Sequence, residues 1–137
     1  MSRRKFREQA FKLIFENMFN ENNLESTIEF AEISREEKID DFAKELFFGV
    51  KNKEKEIDDY IGDNIYNWKK DRISKIALAI LRMSIYEIFY IKKIPISVSI
   101  NEAIEITKKY GSEKESSFIN GTLGSIVKNI EISDKTK

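Results

Sequence analysis

Five cations stand within the first twelve residues: Arg3, Arg4, Lys5, Arg7 and, one turn further on, Lys12. Guanidinium forks match phosphate oxygens and their planes stack on bases, so this cluster suits a nucleic-acid strand. It also suits a solvated helix start, although cations at a helix N-terminus oppose the dipole and add nothing to stability there. Near the other end, Phe118 lies beside the apolar stripe of Ile119, Leu123, Ile126, Val127 and Ile130. It shares its line with Thr122, Ser125 and Asn129, all polar. An aromatic at that edge either covers a neighbouring helix end or offers a base-stacking platform. The small-residue row Ser117, Gly121 and Gly124 implies a close approach, by another helix in preference to a ligand backbone, because glycine is costly inside a helix. Arg82 and Glu87 interrupt an apolar segment and need partners, for which Asn101 and Glu102 are available.

Other chemistry is thinly supplied. The chain has no cysteine and no histidine, which removes thiolate ligands, disulfides and the commonest general base together. Asp40–Asp41 and Asp58–Asp59 are adjacent pairs, and neighbours on a helix diverge by about 100°. Neither pair converges on a substrate, and both read as solvated surface. There is no phosphate-cradling glycine loop and no nucleophile–base couple. No catalytic residue, cofactor or metal ligand is assigned, and the expectation is a protein that is not an enzyme.

The elements that must position these residues are helical. One proline and five glycines in 137 residues disfavour a turn-rich β architecture. Phe6, Ala10, Leu13, Ile14 and Met18 recur at helical spacing over 3–20, and a short helix is expected over about 25–32. Ser34 and Glu37 form a capping-box pattern for the next helix. That helix buries Ile39, Phe42, Ala43, Leu46 and Val50, and its phase resumes at Ile57, Tyr60 and Ile61. Tyr66 and Trp68 then fit a helix junction. The segment 71–92 contains Ile76-Ala77-Leu78-Ala79-Ile80-Leu81, with no polar side, and so predicts a central, surrounded helix. Pro95 stops it. Ser99 with Glu102, and Ser112 with Glu115, are further capping-box patterns, and Gly111 sits where a helix C-terminal cap belongs. The fold class is all-α, with six or seven helices in one domain over 1–137 and a frayed tail from Ser133.

A net charge of zero hides a segregation. Residues 1–20 carry five basic and two acidic side chains, residues 21–63 six and fourteen, and residues 64–137 thirteen and eight. Charge separated in this way can build a basic face for phosphate. The basic start is broken by Glu8, Gln9, Lys12 and Glu16, so no secretory apolar region develops. No stretch reaches about 18 apolar residues. The expected location is the cytoplasm.

Three stretches together resemble the NusB transcription-antitermination family. They are Arg3-Arg4-Lys5-Phe6-Arg7-Glu8; then Asn67-Trp68-Lys69-Lys70-Asp71-Arg72-Ile73 with Ile80-Leu81-Arg82-Met83-Ser84-Ile85-Tyr86-Glu87; and then Ile96-Ser97-Val98-Ser99-Ile100-Asn101-Glu102-Ala103 with Lys108-Lys109-Tyr110-Gly111-Ser112 and Phe118-Ile119-Asn120-Gly121. Their order and spacing span nearly the whole chain. The resemblance implies two small helical bundles packed on one another. It also implies binding of boxA-like RNA, with the ribosomal protein NusE, in a transcription antitermination complex, and it allows a homodimer. By the same likeness Arg3, Arg4, Lys5, Arg7 and Phe118 become expected RNA contacts. Arg82 and Asn120 match family positions that serve either RNA or an internal network. Two departures stand out. Many members carry an acidic–basic pair where this chain has Ala77-Leu78, and an acidic residue is common where it has Lys114. Both changes remove negative or mixed charge. That favours tighter, less discriminating RNA binding and adds Lys114 to the expected contacts.

Overall fold

A computed structural model describes residues 3–20, 23–66, 69 and 72–135. These residues form seven α-helices: α1 (Arg3–Phe19), α2 (Leu24–Arg35), α3 (Asp41–Asn52), α4 (Glu54–Asp63), α5 (Lys75–Tyr90), α6 (Ile96–Tyr110) and α7 (Glu113–Lys135). There is no strand among the described residues. The helix α5 packs on α1 and α3 on one side and on α4, α6 and α7 on the other. Two small bundles thus share it, and one buried cluster runs from Ala10 to Ile126. Eleven of the sixteen residues of α5 are buried, which leaves it no solvent side. Between α3 and α5, a Cβ at Gly49 would fall inside the ring of Tyr86, so glycine is what lets that ring lie on the α3 backbone.

Helix starts depart from the sequence patterns at two of three places. Ser34 stays within α2 and donates to the Phe30 carbonyl at 2.8 Å, while Asp40 caps α3 by accepting from the Phe42 N–H at 2.9 Å. Aspartate is as good a cap as serine, and it stands directly before the apolar run. Ser99 lies inside α6, because Pro95 holds the cap position and accepts from the Ser99 N–H at 3.2 Å. Proline's missing N–H costs nothing at a helix start, so α6 begins about a turn earlier than the pattern predicts. The third box forms as expected: the Glu115 N–H donates to Ser112 Oγ at 3.1 Å and the Ser112 N–H to Glu115 Oε1 at 2.9 Å. Gly111 caps α6 through an N–H bond to the Thr107 carbonyl at 2.7 Å. The helix read through residues 39–61 breaks at Lys53 into α3 and α4, with the apolar phase kept across the break. The tail remains helical to Lys135.

Two buried arginines fasten α5 to its neighbours, with partners other than those expected. Arg7 of α1 donates from Nε to both Glu87 oxygens, at 3.1 and 3.0 Å, and Nη2 adds a further bond. Arg82 forks onto Asp58 of α4 at 2.9 Å through both Nε and Nη2, with Nη1 3.0 Å from Glu54. Glu102 instead binds Arg4, and Asn101 is exposed. The reading of Asp58 as solvated surface is therefore overturned, as Asp58 is buried beneath Arg82. Asp40 is likewise half-buried in its capping role. Tyr66 is 92% exposed and does not pack at a junction; Trp68 lies outside the described residues.

Candidate nucleic-acid interface

The start of α1 faces the turn between α5 and α6. Arg3, Arg4 and Lys5 are exposed, whereas Arg7 is 3% exposed and pinned to Glu87. The Arg3 guanidinium lies 4.8 Å from the centre of the Phe42 ring, which holds it up from below. Arg4 makes a two-bond fork to Glu102, at 2.7 and 3.0 Å. Those bonds hold the Glu102 carboxyl below the usual range. Arg3, Arg4 and Lys93 border a recess of about 390 Å³ whose apolar wall includes Pro95 and Val98 and whose carboxylate is Glu102. The balance is positive, and a phosphate could replace Glu102 as the partner of Arg4.

Along the α1–α6 seam, Glu8 accepts from Lys109 Nζ at 2.6 Å and from the Tyr110 hydroxyl at 2.7 Å. Burial pushes Glu8 up, but these two hydrogen bonds and the lysine charges outweigh it and leave the carboxyl below its usual range. Lys12 and Lys109 flank the Tyr110 ring at 5.9 and 5.5 Å. The seam runs from the arginine start toward Gly111 and the first turn of α7.

That turn carries the second recess, of about 270 Å³, formed by Phe118 with Arg72, Ile73, Ser74, Ala77, Lys114 and Glu115. Phe118 is half-buried, with its inner side packed on the core. Thr122 donates to the Phe118 carbonyl at 2.8 Å. Ser125 and Asn129 both donate to Asn64 Oδ1 at 2.7 Å, so the polar line beyond Phe118 docks on the end of α4. Asn120 and Lys114 are exposed. Gly121 and Gly124 are exposed too, and a Cβ on either would meet nothing within 4 Å. Among the described residues no helix packs against them, contrary to the expected close approach.

The arginine start and Phe118 do not meet in one pocket. Arg7 reaches Glu87 near the end of α5, whereas the Phe118 recess includes Ala77 at its beginning. Ten residues of helix separate those positions by about 15 Å. The two candidate regions form two recesses, one cationic and one aromatic. Of the expected contacts, Arg7 and Arg82 are withdrawn into buried ion pairs, while Arg3, Arg4, Lys5, Lys114, Phe118 and Asn120 keep accessible side chains. Sequence reasoning missed Lys93 and Val98 in the first recess and Arg72, Ile73 and Glu115 in the second. Lys93 carried a signal, two residues before the helix-starting Pro95; Glu115 was hidden by its capping role.

A model of the NusB family matches residues 4–128. The transcription antitermination protein NusB of Clostridium botulinum (strain Alaska E43 / Type E3) is 45% identical over 132 residues, covering 93% of this chain and 99% of that one. Its counterpart from Listeria welshimeri is 44% identical over 126 residues, covering 92% and 96%. Among solved structures, T. maritima NusB superposes with a TM-score of 0.81 at 36% identity, covering 93% of this chain and 92% of that one. A crystal structure of antitermination factors NusB and NusE in complex with dsRNA gives 0.83 at 24% identity, covering 94% and 99%, a likeness of fold.

Proposed function

The chain belongs to the NusB family, and on that premise we propose that it is a transcription antitermination factor that binds single-stranded, boxA-like RNA together with the ribosomal protein NusE. The observation that carries this reading is the recess at the start of α1, where Arg3, Arg4 and Lys93 converge beside an apolar wall. Arginine and lysine on a fixed helix end suit successive phosphates, and the half-buried Phe118 offers a ring to an unstacked base. The crystallised complex of a relative with NusE and dsRNA supports both kinds of partner. The protein acts as one unit over 1–137, without catalysis, in the cytoplasm, where transcription and its ribosomal partner are found. No helix among the described residues is long and apolar enough to cross a membrane.

A second reading, a helical protein-interaction scaffold without strong RNA binding of its own, draws on α2. There Phe30 and Ile33 are 69% and 72% exposed, among the exposed acids Glu25, Glu29 and Glu36. Anisotropy titrations of a boxA-like oligonucleotide, with and without NusE at two salt concentrations, separate the two. RNA binding that tightens with NusE and weakens as salt rises is the expected result. Phe118→Ala is expected to cost about 1–3 kcal/mol of RNA affinity while leaving the helical circular dichroism intact. Retention of NusE with no RNA binding in any arm supports the scaffold instead.

A further inference from the structure

We propose that the recess beside Phe118 seats one unpaired nucleobase bearing an exocyclic amino group, and that Glu115 is the residue that selects it. The proposal rests on the RNA reading above and adds to it the class of base. At about 270 Å³ the recess is slightly smaller than pockets that take drug-sized ligands, which start near ~300 Å³, and so suits one flat ring. Ile73, Ala77 and Phe118 supply its apolar lining, and exposed Arg72 and Lys114 stand at its border, where the phosphates on either side of a seated base would run.

The selecting feature is the remaining hydrogen-bonding capacity of Glu115. An ionised carboxylate only accepts, at about four lone-pair sites. Oε1 takes the Ser112 N–H at 2.9 Å and the Ser112 hydroxyl at 3.0 Å, and Oε2 takes the Ser74 hydroxyl. One acceptor site is left, on Oε2. The same bonds, that from Ser74 foremost, hold the carboxyl below its usual range, so at neutral pH it has no proton to offer. Ser74 is itself fixed, because its oxygen caps α5 by accepting from the Ala77 N–H at 3.0 Å. A rigid lone acceptor matches the amino group of adenine, cytosine or guanine, of which adenine and cytosine form oligomers that do not self-associate into quadruplexes. Uracil has no amino group; its one donor on that edge, N3–H, lies between two carbonyl oxygens that repel a carboxylate.

The test compares labelled oligo(A), oligo(C) and oligo(U) of equal length by anisotropy, on wild-type protein and on Glu115→Gln. Glutamine keeps the capping box, so the fold should persist, as circular dichroism melting will verify. Stacking strength alone ranks bases, so the change in ratio on substitution decides the matter. The wild type is expected to favour oligo(A) and oligo(C) over oligo(U), and E115Q to shrink both ratios by about threefold to tenfold, as a bond to a charged acceptor becomes one to a neutral amide oxygen. Unchanged ratios in a folded, RNA-binding variant overturn the proposal, as does a wild type that binds the three oligomers equally. Failure of the wild type to bind these oligomers while it binds boxA-like RNA with NusE overturns the base assignment alone, and failure to bind boxA-like RNA as well overturns the RNA reading.

Discussion

Arg3 and Arg4 differ from Arg7 and Arg82 in almost everything but residue type. The first two are exposed at the open end of α1, one held over the Phe42 ring and the other bridged to Glu102. The second two are 3% and 5% exposed, with their guanidinium groups forked onto Glu87 and Asp58. A run of arginines in a sequence therefore mixes two jobs. One turn of helix, from Arg3 to Arg7, crosses from exposed charge to interior scaffold. Burial and a dedicated carboxylate mark the scaffold, and exposure marks the arginines of the proposed site.

The sharpest way to test that division is to strand one of the buried charges. Glu87→Ala leaves Arg7 unpaired in the interior and is expected to destabilise the fold by about 3–5 kcal/mol, read as a lower denaturant midpoint. A loss below about 1 kcal/mol would place Arg7 with the surface arginines. A smaller effect should follow from substitution at the open end. Arg3→Ala with Lys93→Ala is expected to leave the melting temperature nearly unchanged. It should reduce the dependence of RNA affinity on log salt by about 0.7 for each phosphate of a single strand that is no longer neutralised. An unaltered salt slope would detach the recess from RNA. The smallest effect concerns acid. Glu8 and Glu102, which tie α1 to α6, both titrate below the usual 4.5 in the fold. Their contribution is therefore present above the unfolded value and is lost as pH falls through the folded one. Thermal melts taken down through the carboxylate range should show a decline that Glu102→Gln makes shallower.

The all-α class, the central α5 and the Ser112–Glu115 box were legible because each rests on local periodicity or a local hydrogen bond. Phe118 was legible as the residue out of step with its stripe. The partners of Arg7, Arg82 and Glu87 were not, since a residue pair separated by 24 or 80 positions leaves no spacing signal. The same limit hid Lys93 and Glu115, whose neighbours in the recesses come from other helices. Ser34 and Ser99 misled for a different reason: a capping motif states only that a helix can start there, and Asp40 and Pro95 started the helices elsewhere.

Asn64 has an effect beyond closing α4. Its side-chain oxygen holds Ser125 and Asn129, and its amide nitrogen holds the Tyr60 carbonyl at 2.8 Å. At the other end of α7, Glu115 is tied to Ser74 on α5. A helix gripped at two points along its length cannot roll about its own axis, and a roll of one residue would turn Phe118 by about 100°. The azimuth of that ring is set by the scaffold, so a base seated there as proposed would spend none of its binding energy on aiming it.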